Sequence, residues 1–350
     1  MTTDRISQFY QEQIASHLPP VVLDFHAHVW RRSDWHAVPW KSGARGGTYM
    51  VADEDYPVER LIGDGRRCFP DREYRAVCFG YPTPSADNEK DTCYVAAAGK
   101  KRGMYPLMIA GAPLKVPAEV IRQRLDAGGF LGFKVFLPWH GDDYGMTSVQ
   151  EMLSANEMDI AQDLGLIVLL HVPRSGRLAD PEVQAGVEWL SKDWPGARVV
   201  LAHCGRCYLP AEMERAIETL KRLPNVYLDS SMVMDESVLR IVFDGIDSSR
   251  LLYATDFPVA AMTGRRVRVM DHWVDIVASE APSSAYRVRA KGIPAAPMAL
   301  EIATAVLSAG RAAGLSEETL RQVFFENGMR LLRSVRKGSA TERAEAGWTQ

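Results

Sequence analysis

Cysteine is scarce, neither sign of charge predominates, and no long apolar run occurs. The five cysteines (Cys68, Cys78, Cys93, Cys204 and Cys207) are an odd number in 350 residues. That argues against a disulfide scaffold and for a reducing compartment. Cys204 and Cys207 form CGRC, but no second CxxC completes a structural zinc site, and the pair does not open a helix after a thioredoxin-type strand. Cys204 is expected to be a small buried residue behind His203. Forty-one Lys and Arg against 44 Asp and Glu leave a net charge of −3, with no basic excess for nucleic acid and no acidic solvating tail. The longest apolar runs, such as Leu164–Leu170 and Val199–Ala202, stop well short of a membrane span. The N-terminus, MTTDRISQFYQEQ, is polar and carries acids, unlike a secretory or transit peptide. The expectation is a soluble, cytoplasmic enzyme with a small-molecule substrate and no nucleic-acid or membrane partner.

What is present is regular. Hydrophobic residues make up 47% and charged residues 24% of the chain, ordinary values for a protein able to bury a sizeable core. Eight β-rich runs recur: 21–25, 74–80, 103–111, 129–137, 164–171, 197–203, 225–231 and 249–256. Several are continuously apolar, as strands buried on both faces of a parallel sheet should be. Helical patterns separate them: Ser148–Asp163, Pro181–Trp189 after a capping Asp180, and Ala211–Leu223 ended by Pro224. Eight strands alternating with helices over about 250 residues predict a (β/α)₈ TIM barrel. A doubly wound sheet is the rival, but no glycine-rich phosphate turn follows the first strand. Residues 29–73 and 257–296 are then long βα loops after strands one and eight, on the face where barrel active sites sit. GRRVRVMDH (264–272) reads as a solvated helix face. Helices are expected over 297–313 and 316–335, and a frayed tail over 337–350. No linker divides the chain, so one domain over 1–350, with its core at about 20–335, is expected.

The polar residues at strand ends carry the chemistry. His26 and His28 end the first strand, and i and i+2 point to the same side. Lys134 lies in the fourth strand, His171 ends the fifth, His203 the sixth and Asp256 the eighth. Six groups from five strands therefore converge on one barrel mouth. Neutral imidazole and carboxylate are ligands for zinc or a similar divalent ion. Taken singly, His-x-His is commonly a surface pair, a buried lysine commonly an ion-pair partner, and Asp256 a turn residue. Those readings do not explain the shared register.

This order (HxH, a later His, AHCG, then TDFP) resembles the amidohydrolase superfamily. Within it the likeness is to the amidohydrolase-related branch of aminocarboxymuconate semialdehyde decarboxylase-like enzymes, with FFENGMRLL (324–332) similar to that branch's terminal helix. The resemblance implies His26, His28, His171 and Asp256 as ligands of Zn²⁺ or another divalent ion such as Mn²⁺, with one or two ions per chain. It implies His203 as a second-metal ligand or an acid/base. GFKVF resembles the strand of hydantoinases whose carbamylated lysine bridges two metals, so Lys134 is either a bridging ligand or an ordinary ammonium. With metal-activated water, Asp256 would be the catalytic base and His203 an oxyanion stabiliser or acid. The implied activity is hydrolysis of an amide, lactone or ester in a small carboxylated or cyclic substrate. The alternative is decarboxylation or hydration of a related acid on the same scaffold. A metal-free barrel serving as a binding protein is disfavoured, because every strand-end ligand is present. A homodimer is what relatives suggest.

Arg174 and Arg206 follow His171 and His203, and guanidinium forks suit carboxylates. Trp139, His140 and Tyr144, with Trp30, Trp35 and Trp40, are candidate walls for a flat substrate.

Overall fold

The computed structural model describes residues 3–36, 54–81, 83, 86–137, 145–278, 287–290, 292 and 295–335. Trp40, Trp139, His140, Tyr144 and the tail 337–350 lie outside them.

The apolar runs form parallel strands. β1 (Val21–His28), β2 (Glu73–Phe79) and β3 (Met104–Pro106) pair in that order. β4 (Met108–Ala110), β5 (Gly132–Val135), β6 (Ile167–Leu170), β7 (Arg198–Leu201), β8 (Val226–Asp229) and β9 (Leu251–Leu252) form a six-stranded sheet, also in chain order. β3 and β4 are two pieces of one barrel strand, interrupted beside Pro106, which has no N–H for the ladder. Single hydrogen bonds bridge the interruption: Leu107 N donates to Cys78 O at 2.9 Å, and Leu131 N to Pro106 O at 3.0 Å. On the other side, Phe25 N donates to Tyr253 O at 2.9 Å, Asp256 N to His26 O at 2.8 Å, and His28 N to Phe257 O at 2.8 Å. These bonds join the first strand to the last. The eight strands predicted from the sequence thus make the parallel α/β barrel, and both predicted long loops leave from the C-terminal ends of their strands.

Helices cover the outside, and their ends follow ordinary capping chemistry. Pro181–Asp193 starts after Asp180, whose side chain accepts from Glu182 N, as expected. The buried Arg250 donates to the carbonyls of Leu220, Leu223 and Val226, tying the end of helix Pro210–Lys221 to the barrel. Asn327, in the terminal helix Glu326–Arg333, donates to Ser248 O and Leu251 O and fastens that helix to β9.

Three local expectations differ from the structure. The helix expected over Ser148–Asp163 is two, Val149–Met152 and Ala155–Leu164, because Ser148 and Ser154 each build a capping box with Glu151 and Glu157. Residues 316–335 likewise hold two helices, broken at Phe325. The run 264–272 is no solvated helix face. Gly264–Val269 (β10) and His272–Val277 (β11) form an antiparallel hairpin, extended by β12 (Arg287–Arg289). Valine and tryptophan at alternating positions favour strand over helix, and alternation turns Arg266 inward, where it is buried against Asp275. No helix among the described residues is long and apolar enough to cross a membrane.

Candidate active site

β1 ends with both imidazoles on one side of the strand. His26 and His28 are buried, and their Nε2 atoms face Asp256 Oδ1 at 3.4 and 3.2 Å. These ligand atoms lie within 4.8 Å of one another. Asp256 is carried into place by two ties to β1. Its own N–H bonds His26 O. The preceding Thr255 donates its N–H to Asp24 Oδ1 at 2.9 Å and its hydroxyl to Asp24 Oδ2. Asp24 also accepts from His26 N and the Tyr74 hydroxyl. Asp256 has φ of 75°, in the left-handed region, a conformation uncommon for a non-glycine residue and associated with functional sites.

The second nitrogen of each histidine is occupied by protein. His26 Nδ1 lies 2.8 Å from Asp229 Oδ2 and His28 Nδ1 2.9 Å from Gly80 O. A carboxylate or carbonyl oxygen can only accept, so Nδ1 is the donor in both pairs, and Nε2 of each ring is turned to the mouth. Asp229, the last residue of β8, holds more than one partner. Its Oδ1 accepts from His203 N at 2.8 Å, from Ser231 N at 3.0 Å and from the Ser231 hydroxyl. The Ser231 hydroxyl is 2.8 Å from His203 Nδ1, and Ser231 O is 3.2 Å from the same atom. His171 completes the group, its ring 5.1 Å from that of His203 and nearly perpendicular to it.

Burial sets the protonation. It holds His26 and His171 well below the usual histidine range, helped by neighbouring positive groups, and lowers His203 to about 3 despite the opposing charges of Asp256 and Asp229. Three neutral imidazoles follow. Lys134 is fully buried, with Nζ 3.4 Å from His26 Nε2 and close to the rings of Phe79 and Phe136. Burial lowers its amine to about 7, against the pull of Asp229 and Asp256.

These donors suit a divalent cation. Two Nε2 atoms and a carboxylate converge, their Nδ1 sides are already paired as metal-bound histidines usually are, and His171 Nδ1 is buried with no hydrogen-bond partner. Every strand-end residue singled out in the sequence is therefore at the same mouth. The expected substrate arginines are engaged by protein groups. Arg174 pairs with Asp180 at 3.0 Å, and Arg206 donates to the carbonyls of Val172 and Arg174. Trp30 is buried, donates to Glu54 O and packs on Tyr56 and Tyr81, and Trp35 packs on Tyr81 as well. Both join loop to loop. Cys204 is buried, its thiol 3.3 Å from Asp229 O, as expected of a packing residue.

Sequence reasoning passed over Asp24, Gly80, Asp229 and Ser231. Asp229 and Ser231 were visible in principle, because LDSS ends a strand as DFHAH does. Gly80 carried no signal: its carbonyl matters, and a Cβ there would lie 1.8 Å from Asp91 Oδ2.

The sequence and the fold were compared with known proteins. None of the curated proteins matches the chain. Among solved structures, an amidohydrolase from Burkholderia multivorans with bound zinc shares 15% identity, covering 89% of this chain and 99% of that one, with a TM-score of 0.56. A 5-carboxyvanillate decarboxylase variant from Novosphingobium aromaticivorans, with bound manganese and 3-methoxy-4-hydroxy-5-nitrobenzoic acid, shares 14%, covering 92% and 98%, at 0.57. The 4-oxalomesaconate hydratase of Rhodopseudomonas palustris shares 14%, covering 94% and 100%, at 0.54. Likeness at this level is a likeness of fold. The sequence itself carries the affiliation: the model of the amidohydrolase family Amidohydro_2 matches residues 23–333, from inside the first strand to the end of the terminal helix, and the chain belongs to that family.

Proposed function

We propose that this protein is a divalent-metal-dependent hydrolase of a C–N or C–O bond in a small, carboxylated or cyclic substrate. The convergence of His26 Nε2, His28 Nε2 and Asp256 Oδ1, each imidazole already paired through Nδ1, is the observation that carries the reading. His26, His28, His171 and Asp256 would hold the ion. When bound, such an ion supplies an acidified water and polarises a carbonyl oxygen. Zinc and manganese, seen in structurally similar proteins, are the ions to try first.

The chain's own residues then have separable duties. Asp256 Oδ1, between the two Nε2 atoms, takes a proton from water at the mouth and passes it to the leaving group. His203 enters neutral, its Nδ1 side anchored by Ser231, and presents Nε2 for proton transfer. Phe79 and Phe136, packed around His28 and Lys134, exclude water from the back of the site. Lys134 would bridge two ions only if carbamylated, since an amine offers at most one lone pair whereas a carbamate offers two oxygens and a negative charge.

The second reading is decarboxylation or hydration of a small carboxylic acid. The decarboxylase and the hydratase that share this fold favour it. A substrate screen with product masses tests both. A gain of one water with bond cleavage supports hydrolysis, loss of CO₂ supports decarboxylation, and turnover unchanged by complete metal removal refutes the metal-dependent account. Metal analysis after preparation with bicarbonate and excess Zn²⁺ or Mn²⁺ tests Lys134. About two ions per chain, falling in Lys134→Ala, mark the carbamate; one ion, unchanged in Lys134→Ala, marks the ammonium.

A further inference from the structure

The wall of the mouth beside His203 carries two donors for which the described residues supply no acceptor. Arg177 donates from Nη1 to Glu212 Oε1 at 2.8 Å, but its Nε is buried without a hydrogen-bond partner. Tyr208 donates its backbone N–H to the other oxygen of the same carboxylate, Glu212 Oε2, at 2.9 Å, while its hydroxyl bonds no described residue. Glu212 therefore fixes both residues. The guanidinium carbon of Arg177 stands 5.2 Å from the Tyr208 ring centroid, and that ring is 6.3 Å from the ring of His203.

Two further features argue that this arrangement is not incidental packing. Arg177 has φ of 57°, a left-handed conformation uncommon for a residue other than glycine. The far side of Tyr208 is braced by the hairpin β10–β11. Arg266, buried and paired with Asp275 at 2.8 Å, covers the rings of Tyr208 and Trp273 at 4.3 and 3.9 Å, and the two rings meet edge to face at 5.2 Å. Burial raises the Tyr208 phenol despite the charges of Arg266, Arg206 and Arg177, so it is an O–H donor at neutral pH. A buried donor without an acceptor, such as Arg177 Nε, is rare in a folded protein and calls for a bound group. An anion suits an arginine N–H beside a phenol O–H, and the paired rings suit a planar body attached to it.

We propose that Arg177 and Tyr208 form an anion subsite that takes a carboxylate of a planar, unsaturated or aromatic substrate at the rim beside His203. The role of this carboxylate as part of the substrate rests on the proposed function; its binding does not. Benzoate and its neutral isostere benzamide are the probes, titrated into the metal-loaded protein by calorimetry and by tryptophan fluorescence, with Trp273 as reporter. Metal content is measured for every variant.

Benzoate should bind at least about 10-fold tighter than benzamide, the worth of one charge-assisted hydrogen bond. Tyr208→Phe and Arg177→Gln should each weaken benzoate by about 10-fold or more while leaving benzamide binding and metal content unchanged. Glu212→Gln removes the carboxylate that competes for Arg177, so it should tighten benzoate, a gain that a purely structural role would not produce. Equal binding of benzoate and benzamide, or wild-type benzoate affinity in the near-isosteric Tyr208→Phe, would overturn the subsite. A benzoate preference in a protein that takes up no metal would leave the subsite standing and remove the metal-dependent reading instead.

Discussion

His28 and Asp256 are held by strand ladders, whereas His203, Arg177 and Tyr208 are held by loops. The first group sits where β1 pairs with the segment after β9, His28 N donating to Phe257 O and Asp256 N to His26 O, each at 2.8 Å. The second group lies where the chain turns left-handed again and again: Arg174, Arg177, His203, Cys204 and Arg206 all have positive φ. The difference matches two tasks. A cation needs ligand atoms fixed to a fraction of an ångström, and ladders and paired Nδ1 atoms provide that. A substrate needs donors left open, and loops can hold donors that no strand satisfies. Asp229 spans the divide, since one oxygen serves His26 and the other serves His203 and Ser231.

The largest effect is expected on the ladder side. His26→Ala should abolish nearly all turnover, while thermal unfolding remains cooperative, because the ring contributes to the site more than to the core. Asp256→Asn keeps the size and one oxygen but removes the base. Steady-state kinetics should show kcat lowered by at least about 100-fold, the usual range for lost general acid–base catalysis. Near-normal kcat in this variant would move the proton transfer to His203. Asp229→Asn tests the link between the halves. It should weaken metal binding by about 10- to 100-fold, as loss of a histidine-orienting carboxylate does, and should also lower kcat at saturating metal, because His203 loses its anchor. A change in metal affinity alone would confine Asp229 to the ladder side.

The smallest effect concerns the wall behind His28. Asp91 packs against Gly80, whose carbonyl holds His28 Nδ1. Burial and then the nearby charge of Asp34 raise its carboxyl to about 8. The folded state thus keeps a proton that the unfolded chain releases near about 4, so this contribution to stability is present below that pH and lost as pH rises towards about 8. Denaturant titrations from pH 5 to 8 should show a shallower decline for Asp91→Asn than for the parent. Parallel slopes would mean that Asp91 is already ionised in the fold.

How much of this was legible in the sequence follows from which atoms do the work. Apolar runs announced all eight strands, and polarity in and just after them announced His26, His28, Lys134, His171, His203 and Asp256; strand periodicity places His26, His28 and Lys134, while His171, His203 and Asp256 lie just past their strands. The hairpin β10–β11 was hidden behind its arginines, since the partner that buries Arg266 is Asp275, nine residues further on and visible only once the turn is made. Arg177 is three residues beyond Arg174, and nothing in HVPRSGR distinguishes the arginine bound to Asp180 from the one whose Nε is left without an acceptor. Loop geometry decides that, and loop geometry depends on long-range contacts such as Glu212. Gly80 acts through a backbone carbonyl, which no residue type encodes.

Elemental analysis of parent protein, His26→Ala and Arg177→Gln, each purified identically with excess Zn²⁺ or Mn²⁺ and then freed of unbound metal, tests the division of the mouth most directly. The account predicts stoichiometric metal in the parent and in Arg177→Gln, and little or none in His26→Ala. Parent protein without metal, or His26→Ala retaining the full parental content, would contradict it.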